Sequence, residues 1–197
     1  MHVLPIERQQ TMKKHTDLQK LIHELAEVKR EYYRLAFDEE HPMKLGEPAT
    51  LKQIAKLEQR LGKPLPPSYR DFLELHNGWE HFDGDLNLLS VNDQDSDWVK
   101  EWLKMLAMAF EEVGEENPFD KGAIPVMLGE GEHRFLILDP RTVRPDGEMD
   151  FVKYTFAEAE DQFEDFTSFL RYDLEVEHQL IEKEKKGTPD EDEEDED

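Results

Sequence analysis

The sequence predicts an α+β domain: N-terminal helices followed by a mostly antiparallel twisted sheet flanked by helices. Three observations carry this. Apolar residues recur at three- and four-residue steps in two early stretches, residues 10–38 and 51–76. Short apolar or alternating runs bounded by turn residues fill the middle third, and a helical face returns between Phe163 and Leu174. Helices that lie outside the strand order, rather than alternating with strands, are the mark of α+β architecture. The organisation expected is a helical extension and linker over 1–45, a main domain over 46–175, and a helix end with a disordered acidic tail over 176–197.

Residues 10–38 place Leu18, Leu21, Ile22, Leu25, Val28, Tyr32 and Leu35 on one helical face. A linker with His41-Pro42, Gly46 and Pro48 follows. Such a helix can pack on its own domain, pair with a second copy in a homodimer, or cover a partner; burial within the chain is the commonest outcome.

The stretch LKQIAKLEQRLGKPLPPSYRDFLELHNGW, Leu51 to Trp79, is the most specific part of the chain. Leu51, Ile54, Leu57 and Leu61 share a helix face, with Glu58 at its edge. Thr50 suits the N-cap, because its hydroxyl can accept from an amide that the first turn leaves unpaired. Gly62 suits the stop, since glycine enters left-handed backbone without a steric cost. Pro64, Pro66 and Pro67 stiffen the connector into a second helix whose inner face is Tyr69, Phe72, Leu73 and His76, with Asn77-Gly78 as its end. Those five apolar side chains, Leu57, Leu61, Tyr69, Phe72 and Leu73, are expected to pack together, and Gly78 to have positive φ.

Strands are expected at Leu86 to Val91, Ile124 to Leu128, Phe135 to Leu138 and Phe151 to Thr155, with turns at Asp83-Gly84, Gly129 to Gly131, Asp139-Pro140 and Pro145-Asp146-Gly147. Between the first two, Asp95 to Asp97 can open a helix with Trp98, Trp102, Met105, Leu106 and Ala109 on one face. A closing helix is expected to bury Phe163, Phe166, Phe169, Leu170 and Leu174 before the pattern fades into Glu and Lys.

On these residues the chain resembles the SUKH superfamily, which includes the yeast cell-wall synthesis regulator and many bacterial immunity proteins. The features carrying the resemblance are Leu57-Glu58, Leu61-Gly62, Leu65-Pro66, Tyr69, Phe72-Leu73 and Asn77-Gly78, followed in order by LNLLSV, AIPVML, FLILD and FEDFTSFL. It spans about residues 48 to 172. The resemblance implies a non-enzymatic protein that neutralises a polymorphic or contact-delivered toxin by tight association, with a regulatory scaffold as the alternative.

Charge narrows the choice of partner. The chain has 48 acidic against 24 basic residues and a net charge of -24, and the eight residues from Asp190 to Asp197 are all acidic. Without those eight, 40 acids still face 24 bases, so the folded part is itself acidic. Nucleic acid is disfavoured as a direct ligand because phosphates need clustered Lys and Arg. A basic protein, such as a nuclease toxin with a basic substrate channel, is favoured; solubility is the plainer role of acidity. There is no Cys, no sustained apolar segment after the N-terminal charges and no membrane-length apolar run, which together suit a cytoplasmic protein.

Catalytic constellations are sparse. His23 to Glu27 ends in Glu where a zinc helix needs a second His, and His76, His81 and His133 have no ligand spacing. An enzyme built on His76, His81 and nearby carboxylates is the third function class considered. The alternations Asp83, Asp85, Asn87 and Asp93, Asp95, Asp97 fail the calcium-loop template, because its sixth position would be Leu88 or Trp98 instead of Gly and its twelfth Gln94 or Lys104 instead of Glu. No cofactor or metal is expected. Trp79, Phe82, Trp98 and Trp102 fit core filling or a binding platform. The partner-binding residues expected are Glu58, Asn77, Trp79, Asp83 and Asp85, where carboxylates and an aromatic anchor fall in one stretch.

Consecutive acids repel one another and offer nothing to bury. Deleting residues 188–197 is therefore expected to leave the thermal unfolding midpoint nearly unchanged; a large drop would show that the tail contributes to the fold.

Overall fold

The computed structural model describes residues 6–129 and 133–187, with side chains from residue 14 onward. Most of the turn expected at 129–131 and all of the acidic tail lie outside the described residues.

The first helix, α1 (Ile6–Phe37), begins earlier than its periodicity suggests. Leu18, Ile22, Leu25 and Ala26 are buried in the core, so the apolar face is used within the chain. Leu35, expected on that face, is exposed together with Phe37 at the helix end. After the short strand β1 (Lys44–Leu45), α2 (Leu51–Leu61) opens on a reciprocal cap: Thr50 Oγ1 accepts from the Gln53 amide at 3.3 Å, and Gln53 Oε1 accepts from the Thr50 amide at 2.8 Å. Gly62 closes it in left-handed backbone, φ 68°.

The proline turn leads into α3 (Pro67–Leu75). Leu57, Tyr69, Phe72 and Leu73 are fully buried in one cluster with Leu61 packed against it, as the periodicity requires. The stop differs: α3 ends at Leu75, and His76 is already extended. Asn77-Gly78, with φ 92° at the glycine, is therefore the entry to the sheet rather than a helix cap.

The sheet has seven strands in sequence order, each antiparallel to the next: β1, β2 (Trp79–Asp83), β3 (Leu86–Leu88), β4 (Ile124–Gly129), β5 (Arg134–Asp139), β6 (Asp150–Thr155) and β7 (Glu158–Phe163). Three of these, β1, β2 and β7, carry no strand signal strong enough to anticipate. The run Leu86 to Val91 is strand only to Leu88. Phe163 belongs to β7, and the closing helix α5 (Phe166–Lys186) starts after it, capped by Asp165 accepting from the Ser168 amide at 2.7 Å. This helix also runs further than its fading pattern suggests, burying Glu177 and Ile181.

Both sheet faces carry cores. One packs against α1, α2, α3 and α5. The other packs against α4 (Asp97–Val113) through Leu128, Phe135, Ile137, Val152 and Tyr154. A bulge makes this possible on β4: Pro125 pairs with Ile137 and Met127 with Leu136, so Val126 is an extra residue. Ile124, Val126 and Met127 consequently serve the first core and Leu128 the second. The α4 face is rotated from expectation. Val99, Trp102, Leu106 and Phe110 are buried, whereas Met105 is exposed and Trp98 and Ala109 are only partly covered.

One buried charge cluster joins the two ends of the chain. Lys29 of α1, 2% exposed, lies 2.8 Å from Asp173 and 2.6 Å from Glu177 of α5, with its ammonium 4.5 Å from the centre of the Phe82 ring. Two carboxylates share one ammonium. Burial pushes Asp173 up from 3.8 to about 6 against the pull of Lys29, while the two carboxylates outweigh desolvation at Lys29 and raise its pKa.

Between those values the folded state holds a proton on Asp173 that the unfolded state has lost, so this group's contribution to stability falls as pH rises through the interval. Asp173→Asn is expected to flatten that part of the stability profile measured by chemical denaturation. Lys29→Met should instead cost about 3–5 kcal/mol at neutral pH, because it strands both carboxylates.

Candidate functional site

The core beneath α4 takes described side chains from β4, β5 and β6, and none from β1 or β2. Over β1 to β3, beside the start of α4, an open cleft of about 780 Å³ remains. Its floor is a close crossing of two backbones. The Gly46 amide donates to Gly78 O at 3.0 Å and the Asn77 amide to Glu47 O at 3.0 Å. A Cβ on Gly46 would collide with the Asn77 carbonyl, and one on Gly78 would lie 2.9 Å from both Leu88 O and Ser90 N. Only glycine lets these strands approach so closely.

Around this floor Asn77 acts as a brace, its Oδ1 accepting from the Val91 amide at 2.8 Å. Trp79 has no exposed surface and packs edge-on to Phe82 at 5.0 Å. Its indole nitrogen has no hydrogen-bond partner among the described residues. Trp79 therefore supports the cleft from beneath. The next residue, Glu80, is exposed and 3.5 Å from Lys44. His81 adopts φ 52°, which is costly for a side chain bearing a Cβ, and Asn87 Oδ1 holds its amide at 2.7 Å. Asp85 is exposed in the β2–β3 turn, and Asp93 Oδ2 accepts from the Ser90 amide at 2.8 Å. Trp98 closes the rim. Glu80, Asp85 and Asp93 against Lys44 leave the walls acidic, suited to a cationic group.

Of the five residues the sequence singled out, the cleft gathers Asn77, Trp79 and Asp85. Asp83 sits at the end of β2 and pairs with Arg134 at 3.1 Å, lining a separate depression. Glu58 lies on α2, and its carboxylate reaches the proline turn, where it accepts from the Leu65 amide at 3.1 Å and from Arg70 at 3.0 Å. Cleft residues that sequence reasoning did not name as contacts include Glu80, His81, Lys44, Asp93 and Trp98. Recognising β2 as a strand, with Trp79 inward and Glu80 outward, would have found the first.

Among the described residues the histidine and alternating-acid patterns do not fall into a group with ligand spacing. His76 Nδ1 lies 3.2 Å from Gly46 O, His81 Nδ1 lies 3.2 Å from Gly84 O, and His133 stacks on Phe156. Burial lowers His76 and pushes His41 down to about 4. Asp95 is engaged by Lys100 at 3.1 Å and Arg60 at 3.4 Å. Among the described residues the group with ligand-like spacing is His15, Asp71 and Glu74. There His15 Nε2 bonds Asp71 at 2.9 Å and ties α1 to α3.

Comparison with protein families matches residues 48–172 to the SMI1/KNR4 family (SUKH-1). Among curated proteins, the uncharacterized protein YnaB of Bacillus subtilis (strain 168) is 44% identical over 45 residues, 23% of this chain and 31% of that protein. The chain thus matches about a third of the length of this relative. No helix among the described residues is long and apolar enough to cross a membrane.

Glu58→Ala leaves the Leu65 amide without its acceptor and Arg70 with Glu74 as its remaining carboxylate. It is expected to lower stability by roughly 1–3 kcal/mol in chemical denaturation.

Proposed function

The chain belongs to the SMI1/KNR4 family (SUKH-1), and from that premise we propose that it is an immunity protein that binds and neutralises a cognate polymorphic or contact-delivered toxin in the cytoplasm. The observation that carries this proposal is the open acidic cleft over β1 to β3, in a chain whose net charge is -24. The cognate toxin is a basic protein, such as a nuclease whose substrate channel attracts phosphate. Long-range attraction speeds encounter, and occupation of the channel excludes its substrate. No catalysis by this chain is required.

Within the contact set Glu58, Asn77, Trp79, Asp83 and Asp85, the roles divide by exposure. Asp83 and Asp85 meet the partner's cations; Asn77 and Trp79 hold the cleft in shape, and Glu58 holds the neighbouring turn. A regulatory scaffold recruiting partners through α1 is less favoured, because α1 buries its apolar face against its own chain.

The decisive experiment is co-expression with the neighbouring reading frame. A product that kills cells alone and not in the presence of this chain is the expected result, and a harmless neighbour removes the proposal's toxin. With that protein in hand, reversing Asp83 and Asp85 to Lys should slow association and weaken its salt dependence. The folding cost should be modest, since the Asp83–Arg134 pair is only half-buried. Association indifferent to both salt and the reversals would refute the electrostatic mechanism.

A further inference from the structure

At the opposite end of the sheet from the cleft, β7 pairs with β6 and is last in the strand order. Five of its six side chains are exposed, and its charged residues, Glu158, Glu160 and Asp161, are all acidic. Lys153 of β6 neutralises part of this, lying 2.9 Å from Glu160 and 3.5 Å from Asp161. The edge remains net negative. Beside it, a depression of about 430 Å³ is lined by Val113, Phe156 and Ala157, with Glu115, Glu158 and Glu160 among its walls.

Phe156 sits in the β6–β7 turn at φ 54°, a region bulky residues enter only at a steric cost. Its ring stacks on His133 at 4.1 Å and is still 55% exposed, close to Val113, itself 59% exposed. A strand edge free among the described residues, an apolar hollow and a ring of carboxylates thus meet at one place.

We infer that this end of the sheet docks an extended basic segment of another protein, which pairs with β7 as an eighth strand. Main-chain hydrogen bonds along the edge supply the pairing. Lys or Arg side chains of the segment meet Glu158 and Asp161 across it, and one side chain lays its aliphatic stem on Phe156 and Val113 with its cation among the glutamates. Charge decides the occupant. A second copy would set acid against acid, which is also how edge strands avoid pairing with themselves. This inference stands apart from the cleft over β1 to β3 and needs no toxin.

The test adds a short synthetic peptide alternating lysine and valine to the full chain, with a glutamate-for-lysine peptide as control. Amide exchange and affinity are read as salt is varied. The expected result is slowed exchange along residues 158–163 and binding that weakens with salt. Glu115→Lys with Glu158→Lys should weaken it by about tenfold or more. Phe156→Gly should weaken binding while leaving the chain folded, because glycine accepts the turn's backbone without strain.

Unaltered exchange along β7, equal binding of the control peptide, or affinity indifferent to both variants would overturn the inference. Protection that rises with protein concentration alone would do so too, by identifying a second copy as the occupant. Perturbation centred on Glu80 and Asp85 would also overturn it, while leaving the immunity proposal standing.

Discussion

Phe166, the first residue of α5, joins parts of the chain that the backbone keeps far apart. Its buried ring lies 5.5 Å from Tyr69 and 5.0 Å from Phe72 on α3, and 5.5 Å edge-on from Phe151 on β6. Removing such an aromatic from water, with offset and edge-to-face neighbours, is among the larger single contributions to a small core. Its consequences reach the cleft. Tyr69, held by this ring, donates its hydroxyl to Leu89 O at 3.1 Å, and Gln94 Nε2 donates to the Tyr69 hydroxyl oxygen at 3.4 Å. The loop after β3, which carries Asp93 and leads to Trp98, is therefore positioned from the core.

A chain this acidic must reconcile repulsion with compactness. It does so unevenly. Inside, Lys29 draws Asp173 and Glu177 together between α1 and α5, where burial raises the cost of every unmatched charge. Outside, the excess carboxylates lie where water screens them, along the helices and at the two ends of the sheet. These ends differ in kind: the cleft over β1 to β3 is concave and framed by close backbone crossings, whereas β7 is the last strand among the described residues and lies beside an apolar hollow. Both present carboxylates to solvent; in the roles proposed, the first would select by shape and the second by main-chain pairing.

The position of α4 makes the first of these surfaces available. Its buried residues reach only part of the second sheet face, leaving the polar positions of β2 and β3 facing solvent. Asn77 and Gly78 then matter as architecture: one pins the Val91 amide, and the other admits the strand that a Cβ would repel.

By itself the sequence determined the elements whose signals are local. The α2–turn–α3 unit was legible because apolar spacing, Thr50, Gly62 and the prolines all act within a few residues of one another. The family resemblance rested on the same segment, and the acidic balance was visible in composition alone. Tertiary structure decided the rest. The two-residue β1, the polar β7 and the Glu-His-bearing β2 are strands because neighbours supply their hydrogen bonds, not because their side chains alternate. The α4 face turned because Val99 and Phe110 meet the bulged face of the sheet. Trp79 is buried and Glu80 exposed for the same reason: pairing register, which no local pattern encodes, assigns each side chain its face.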